Sequence, residues 1–241
     1  MLAIARDGRR SFLRQGAAAG AALLVAGFAR AAPPQDRDGT QTNPADEGTD
    51  VSAFEALMRQ HGLLARLLLI YEESARLLET GKEFPPQALG FAALTLKDFV
   101  EKYHEKIEEK HVFPRLEKAE RLVDLVGVLR RQHAVGERLT ANIIGNSGPD
   151  LMRRREDHAK LAGWLRQYVR MMRPHTAHED TVVFPELRKL VSKQEYDALA
   201  ETFQKREREA LGDVGFEEWV QRVAKLEALL GLDDPDRVTP G

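Results

Sequence analysis

Two stretches of the chain read almost as one: His104-Glu105-Lys106-Ile107-Glu108-Glu109-Lys110-His111-Val112-Phe113-Pro114-Arg115-Leu116 and His175-Thr176-Ala177-His178-Glu179-Asp180-Thr181-Val182-Val183-Phe184-Pro185-Glu186-Leu187. Both follow the pattern His-x-x-x-Glu-acid-x-x-Val-Phe-Pro-x-Leu, 71 residues apart, apart from His111 where the second copy has Val182. Upstream of each lies a matching pair of fragments. Arg59-Gln60-His61 is followed by Arg66-Leu67, and Arg131-Gln132-His133 by Arg138-Leu139. Each half is therefore a helix with one histidine, then a helix with His-x-x-x-Glu, separated by 43 residues (His61 to His104) or 42 (His133 to His175). Two such helix hairpins facing each other make one bundle with pseudo-twofold symmetry.

The surrounding pattern is helical throughout. Phe54, Leu57, Met58, His61, Leu64, Ala65, Leu68 and Tyr71 form one stripe at steps of three and four, the signature of an amphipathic helix. Ser52-x-x-Glu55 is a capping-box start, and Gly81 to Pro86 an end. The pattern predicts a second helix from about Pro86 to Phe113, with Pro114 forcing a bend or restart. A third runs from about Leu122 to Ile144. A fourth runs from near Asp150 to Leu190, with a kink at Pro174. Two more follow, from the Ser192-x-x-Glu195 box to Ala210 and from Phe216 to Leu230. No segment alternates as a strand does. The expected fold is all-α: an up-down-up-down four-helix bundle over 51–191 with two additional C-terminal helices over 192–232.

Residues four apart share a helix face, so His104 with Glu108, and His175 with Glu179, can point at one centre. His61 and His133 can reach the same level. Four imidazoles and two carboxylates then meet inside a bundle, where two carboxylates repel and take up protons unless cations lie between them. A pair of divalent metals resolves this. The ligation is nitrogen and oxygen only, because the 241-residue chain has no cysteine and seven histidines, which also excludes thiol nucleophiles, cysteine zinc sites and iron–sulfur clusters. Such donors suit iron or manganese, with zinc also compatible.

At these residues the sequence resembles the hemerythrin-like, or HHE cation-binding, family. The resemblance spans roughly residues 51–190 and rests on His61, His104/Glu108, His133, His175/Glu179 and the two Phe-Pro ends. It implies two iron ions in a non-haem centre, those six residues as ligands, and dioxygen, peroxide or nitric oxide as the small-molecule partner. An oxidase or peroxidase, or a protein of iron storage, delivery or repair, is the alternative. Respiratory hemerythrins place a second histidine one turn after that of the third helix; here the position is Glu137, which is either an additional carboxylate ligand or a partner of Arg138 or Arg130. Glu105, beside His104, is either a further ligand or a solvated acid. Glu109 and Asp180 sit one residue past the ligands, with roles behind them or at the surface. His111 reads as a core histidine and His178 as an edge of the pocket. His158 lies too far along its helix to join. Tyr103 and Tyr168 read as packing aromatics.

The N-terminus supplies a different signal. Arg9-Arg10-Ser11-Phe12-Leu13-Arg14, an uncharged run over 16–29 and Ala29-Arg30-Ala31 resemble a twin-arginine export signal over residues 1–31. The run is too short to span a membrane stably. This implies export by the twin-arginine machinery to the periplasm or beyond. Residues 32–50 read as a flexible linker and 233–241 as a disordered tail. The whole chain carries a net charge of −2. Removing the arginine-rich leader makes the remainder more acidic, which gives no footprint for nucleic acid.

Overall fold

The structure is a computed structural model that describes residues 51–83, 85–148, 150, 154–212, 215–234, 236 and 239. The expected signal (1–31) and linker (32–50) lie outside the described residues, as does most of the expected tail. Among the described residues the chain forms six helices and no strand: α1 (Ala53–Thr80), α2 (Pro86–Lys118), α3 (Val123–Asn146), α4 (Arg155–Leu190), α5 (Lys193–Leu211) and α6 (Gly215–Leu230). None is long and apolar enough to cross a membrane.

Local chemistry sets the ends. Ser52 caps α1 by accepting from the Glu55 amide at 3.3 Å, and Gly81 closes it in the left-handed region at φ 66°, which costs a glycine little. Among the described residues, the reciprocal half of a capping box forms only at α5. There Ser192 Oγ accepts from the Glu195 amide, and the Glu195 carboxylate accepts from the Ser192 amide at 2.8 Å.

One helix runs further than its proline suggests, and another takes a proline within its length. α2 does not stop near Phe113 but continues to Lys118, and α4 passes through Pro174 as regular α-helix. The reason at Pro114 is a π-type turn over Glu108–Val112, in which the Phe113 amide donates to the Glu108 carbonyl five residues back. The widened register ends on the residue before the ring, where the next amide is missing in any case. The side chain of Arg130 takes over by donating to the Glu109 carbonyl at 3.5 Å. The second copy repeats the device, with a π-type turn over Glu179–Val183 ahead of Pro185. A third π-type turn covers Leu96–His104.

Helices α1 to α4 form a ring in which α1 packs on α2, α2 on α3, α3 on α4 and α4 most extensively on α1. The buried stripe of each faces the middle: Leu57, Leu64 and Tyr71 from α1, Phe99 and Phe113 from α2, Leu129 and Ile143 from α3, Leu165 and Tyr168 from α4. α5 packs on α1, and α6 on α1 and α2. Arg66 holds α6 to α1 through a bidentate pair with Glu227 at 2.9 and 2.5 Å. Trp219 lies 5.5 Å from Phe99, ring to ring.

The capping box should be worth what such caps usually are. Replacing Ser192 by Ala is expected to lower unfolding free energy by about 1 kcal/mol, read from the denaturation midpoint. Metal content should be unchanged, because α5 contributes no donor to the centre described next.

Candidate metal centre

Six side chains from α1 to α4 converge in the middle of the ring. His61 comes from α1, His104 and Glu108 from α2, His133 from α3, and His175 and Glu179 from α4; all are buried, and both carboxylates are at 0% exposure. Their potential donor atoms fall into two groups that share Glu108. His61, His104 and Glu108 form one; Glu108, His133, His175 and Glu179 form the other; within each, the atoms lie within 4.8 Å of one another. His104 Nε2 is 3.5 Å from Glu108 Oε1 and His133 Nε2 is 3.6 Å from Glu108 Oε2. One carboxylate thus faces both groups. Glu179 Oε2 lies 3.2 Å from His175 Nε2 and 3.4 Å from His61 Nε2.

These contacts are too loose for a satisfied hydrogen-bonded core. His61 Nε2 and all four oxygens of Glu108 and Glu179 are buried without a hydrogen-bond partner. Unpaired buried charge is costly. The same spacing suits metal ligation: with bonds of roughly 2.1 Å, adjacent donors around an ion sit about 3 to 3.5 Å apart. Two ions, one per group, fit the residues present.

The other ring nitrogen of each histidine is held from behind. His61 Nδ1 is 2.7 Å from Asp180 Oδ1, and His133 Nδ1 is 3.1 Å from Glu109 Oε1. His104 Nδ1 is 2.7 Å from Gln60 Oε1, and His175 Nδ1 is 2.9 Å from Gln132 Oε1. The four partners obey the internal repeat, acid matching acid and amide matching amide. Each can only accept through that oxygen. Nδ1 is therefore the protonated nitrogen and Nε2 turns its lone pair inward, the usual arrangement of metal-binding histidine. The Phe-Pro motif completes the wall. Phe113 stacks on His133 with centroids 5.6 Å apart, and Phe184 on His61 at 5.7 Å. The π-type turn between each glutamate and phenylalanine makes both contacts possible. Five residues of plain α-helix would separate them by about 140° around the axis; the wider turn reduces that angle.

The electrostatics follow from burial and charge. Burial alone lowers the His61 pKa, but the hydrogen bond to Asp180 and the neighbouring Glu179 carboxylate outweigh it and hold it at about 9. Burial, then the His61 charge, holds His104 well below the ordinary value. Burial likewise lowers His133, against the pull of Glu109. Its hydrogen bond to His133 brings Glu109 down to about 2. Burial and the facing Glu179 push Glu108 well up.

The remaining expected residues lie elsewhere. Glu137 is not at the centre: its Oε1 accepts from Lys106 Nζ at 3.2 Å, with the side chain 46% exposed. The buried positions of α3 are Val126, Leu129, His133, Gly136, Leu139, Thr140 and Ile143, so the step after His133 that faces inward is Gly136. Glu105 is buried, not solvated, yet belongs to neither donor group. His178 is exposed, with Nδ1 2.5 Å from the Pro174 carbonyl. His111 is half-buried, its ring 6.0 Å from that of Phe203. Nothing in the residue type of Gln60 or Gln132 marks it as functional; the one signal is a place beside the repeated histidine.

Residues 52–150 match the model of the hemerythrin HHE cation-binding domain. The chain belongs to that family. Uncharacterized proteins of Mycobacterium bovis and of two Mycobacterium tuberculosis strains are each 38% identical to it over 233 residues, covering 97% of this chain and 91% of theirs. No solved structure matches. The family match implies that the chain binds metal, and it reaches α1, α2 and α3; the α4 donors His175 and Glu179 lie beyond it and enter through geometry and the repeat.

Two measurements test this centre. Asp180→Ala is expected to weaken metal binding by about 10- to 100-fold, whereas Glu137→Gln should leave it within about twofold. His61 must also lose a proton to bind metal. Below its pKa near 9, apparent affinity should therefore rise by at least about tenfold per pH unit between pH 6 and 8, with proton release on binding. A flat profile would contradict the His61 assignment.

Proposed function

We propose that the chain is an exported non-haem di-iron protein that binds dioxygen, or a related ligand such as peroxide or nitric oxide, between α1 and α4. The observation that carries this reading is the sharing of Glu108 between two donor groups, which is the arrangement a bridged metal pair needs. The four ligand-bearing helices over 51–191 are read as an up-down-up-down bundle, with 192–232 as an extension packed outside it.

Iron suits a donor set of four imidazoles and two carboxylates without sulfur; manganese and zinc are compatible with the same donors. A bound iron pair would supply electrons and an open coordination position for an oxygen-type ligand. The chain supplies the rest. Asp180, Glu109, Gln60 and Gln132 fix the imidazoles, so little reorganisation accompanies ligand binding. Phe113 and Phe184, both fully buried, close the wall against bulk water.

Carriage is not the sole chemistry such a centre supports. One group has three donors and the other four, and Glu137 adds nothing to either. A position with few protein ligands favours turnover, so oxidase or peroxidase chemistry, or iron handling, is the second reading. Export rests on the Arg9-Arg10 leader and its small-residue cleavage pattern. It would place the folded, metal-loaded protein in the periplasm or outside the cell.

The test is iron quantified per chain together with the absorption spectrum of reduced protein exposed to air. Two irons and visible bands that vanish on deoxygenation support binding; irreversible oxidation supports the second reading; no iron in protein matured in its own cell overturns both. Glu108→Ala should depress both positions, leaving less than one iron per chain. His104→Ala, which touches the three-donor group alone, should leave about one.

A further inference from the structure

α2 carries a second pair of carboxylates, Glu101 and Glu105, one turn apart on the side that also bears Glu108. They are 6% and 1% exposed. Neither oxygen of Glu105, nor Oε1 of Glu101, has a hydrogen-bond partner. The other three helices of the ring answer them. Thr140 of α3, Tyr168 of α4 and Tyr71 of α1 are all fully buried, and none of the three hydroxyls makes a well-formed hydrogen bond. Thr140 Oγ1 is near enough to the Glu101 carboxylate and the Tyr168 hydroxyl to act weakly as a hydrogen-bond partner of both. The Tyr168 and Tyr71 rings are 5.5 Å apart.

Every helix of the ring therefore contributes a buried oxygen without a well-formed hydrogen bond. A single unmade hydrogen bond in a core costs about 1–3 kcal/mol, and native interiors hold few of them. Charge makes the case sharper. Two divalent ions in the His/Glu centre are balanced by Glu108 and Glu179 together with Glu109 and Asp180 behind the imidazoles. Glu101 and Glu105 are then two further acids with no cation of their own. Lys97 and Lys106 act on Glu101 from outside, but Lys106 is already engaged by Glu109 and Glu137. Oxygen is the one donor element among these groups, which selects a hard ion.

We propose that Glu101, Glu105 and the Thr140 and Tyr168 hydroxyls form a third cation site, all-oxygen, that takes one hard divalent ion such as Mn2+ and lies along the ring axis from the His/Glu centre. The inference rests on reading that centre as a two-metal site. It gives α2 three carboxylates in succession, Glu101, Glu105 and Glu108, leading from its least buried member to the shared ligand.

The test is equilibrium binding of Mn2+ to the metal-free full chain under anaerobic conditions, with bound metal counted per chain. Wild type should bind three ions. The Glu101→Gln/Glu105→Gln double variant should bind two, and Thr140→Val should weaken the third ion at least tenfold. His104→Ala should lose an ion of the His/Glu centre and keep the third. Gln preserves side-chain shape, and circular dichroism checks folding; Thr140→Val keeps the test decisive if the double variant does not fold. Saturation of wild type at two ions overturns the proposal, as expected if both acids simply hold protons. A third equivalent untouched by either variant is surface binding and overturns it as well. A single ion that survives loss of His133 and His175, yet disappears in the double variant, overturns the two-metal reading and leaves this site standing.

Discussion

Two glutamates with no exposure to solvent, Glu108 and Glu179, face the same small space in the middle of a helical ring. That constraint organises the rest. An apolar core of this size would be simpler to fold around leucine, and a buried carboxylate pair without compensation opposes the folded state. The structure surrounds the pair with four imidazoles and gathers their donor atoms into two groups, each within ligating distance. Stability and metal binding are therefore linked. An ion bound by the folded chain alone shifts the folding equilibrium toward it by mass action.

The repeat explains how a helical scaffold holds this arrangement from both sides. In each half the ligating glutamate opens a π-type turn and a phenylalanine follows it onto an imidazole of the facing hairpin. The acid directly after the glutamate reaches the back of that same imidazole, Glu109 behind His133 and Asp180 behind His61. The short motif Glu-acid-x-x-Val-Phe-Pro thus encodes a ligand, the residue that orients a ligand across the interface, a wall and a helix continuation. Conservation of local geometry between the halves follows from the fact that each half supplies what the other half's histidine needs.

Much of this was legible in the sequence because periodicity and spacing are strong signals for helices. The six converging residues, the helix count and the cap at Ser192 could be read directly. What escaped has identifiable causes. The π-type turns leave no residue signature beyond the proline that follows them, so α2 was expected to break near Phe113. Glu137 was a candidate because four-residue spacing from His133 suggests a shared face, but the inward stripe of α3 steps to Gly136, where Tyr168 Cε2 lies 3.5 Å from where a β-carbon would stand. Gln60 and Gln132 were invisible as functional groups because an amide beside a histidine is compatible with any exposed helix position. Glu105 could be neither placed nor excluded, since burial of one acid depends on which neighbours pack over it.

The two halves are nevertheless not equivalent, and the difference is physical. Gln60 passes its amide hydrogen to Tyr103 Oη at 3.0 Å, and Tyr103 reaches Glu207 of α5 at 3.5 Å. The position corresponding to Tyr103 in the second half is Pro174, which can make no such bond. His104 is therefore tied through two side chains to a helix outside the ring, whereas His175 is tied to Gln132 alone among the bonds of this kind. His104 also belongs to the donor group with three members, and His175 to the group with four. Both asymmetries act in the same direction. The His104 group has fewer donors and a longer supporting network, which reaches the surface through α5. The His175 group draws its four donors from α2, α3 and α4. A pair of ions held this way would differ in open coordination and in response to their surroundings, and that inequivalence, rather than the shared fold, would decide which of them meets an incoming ligand.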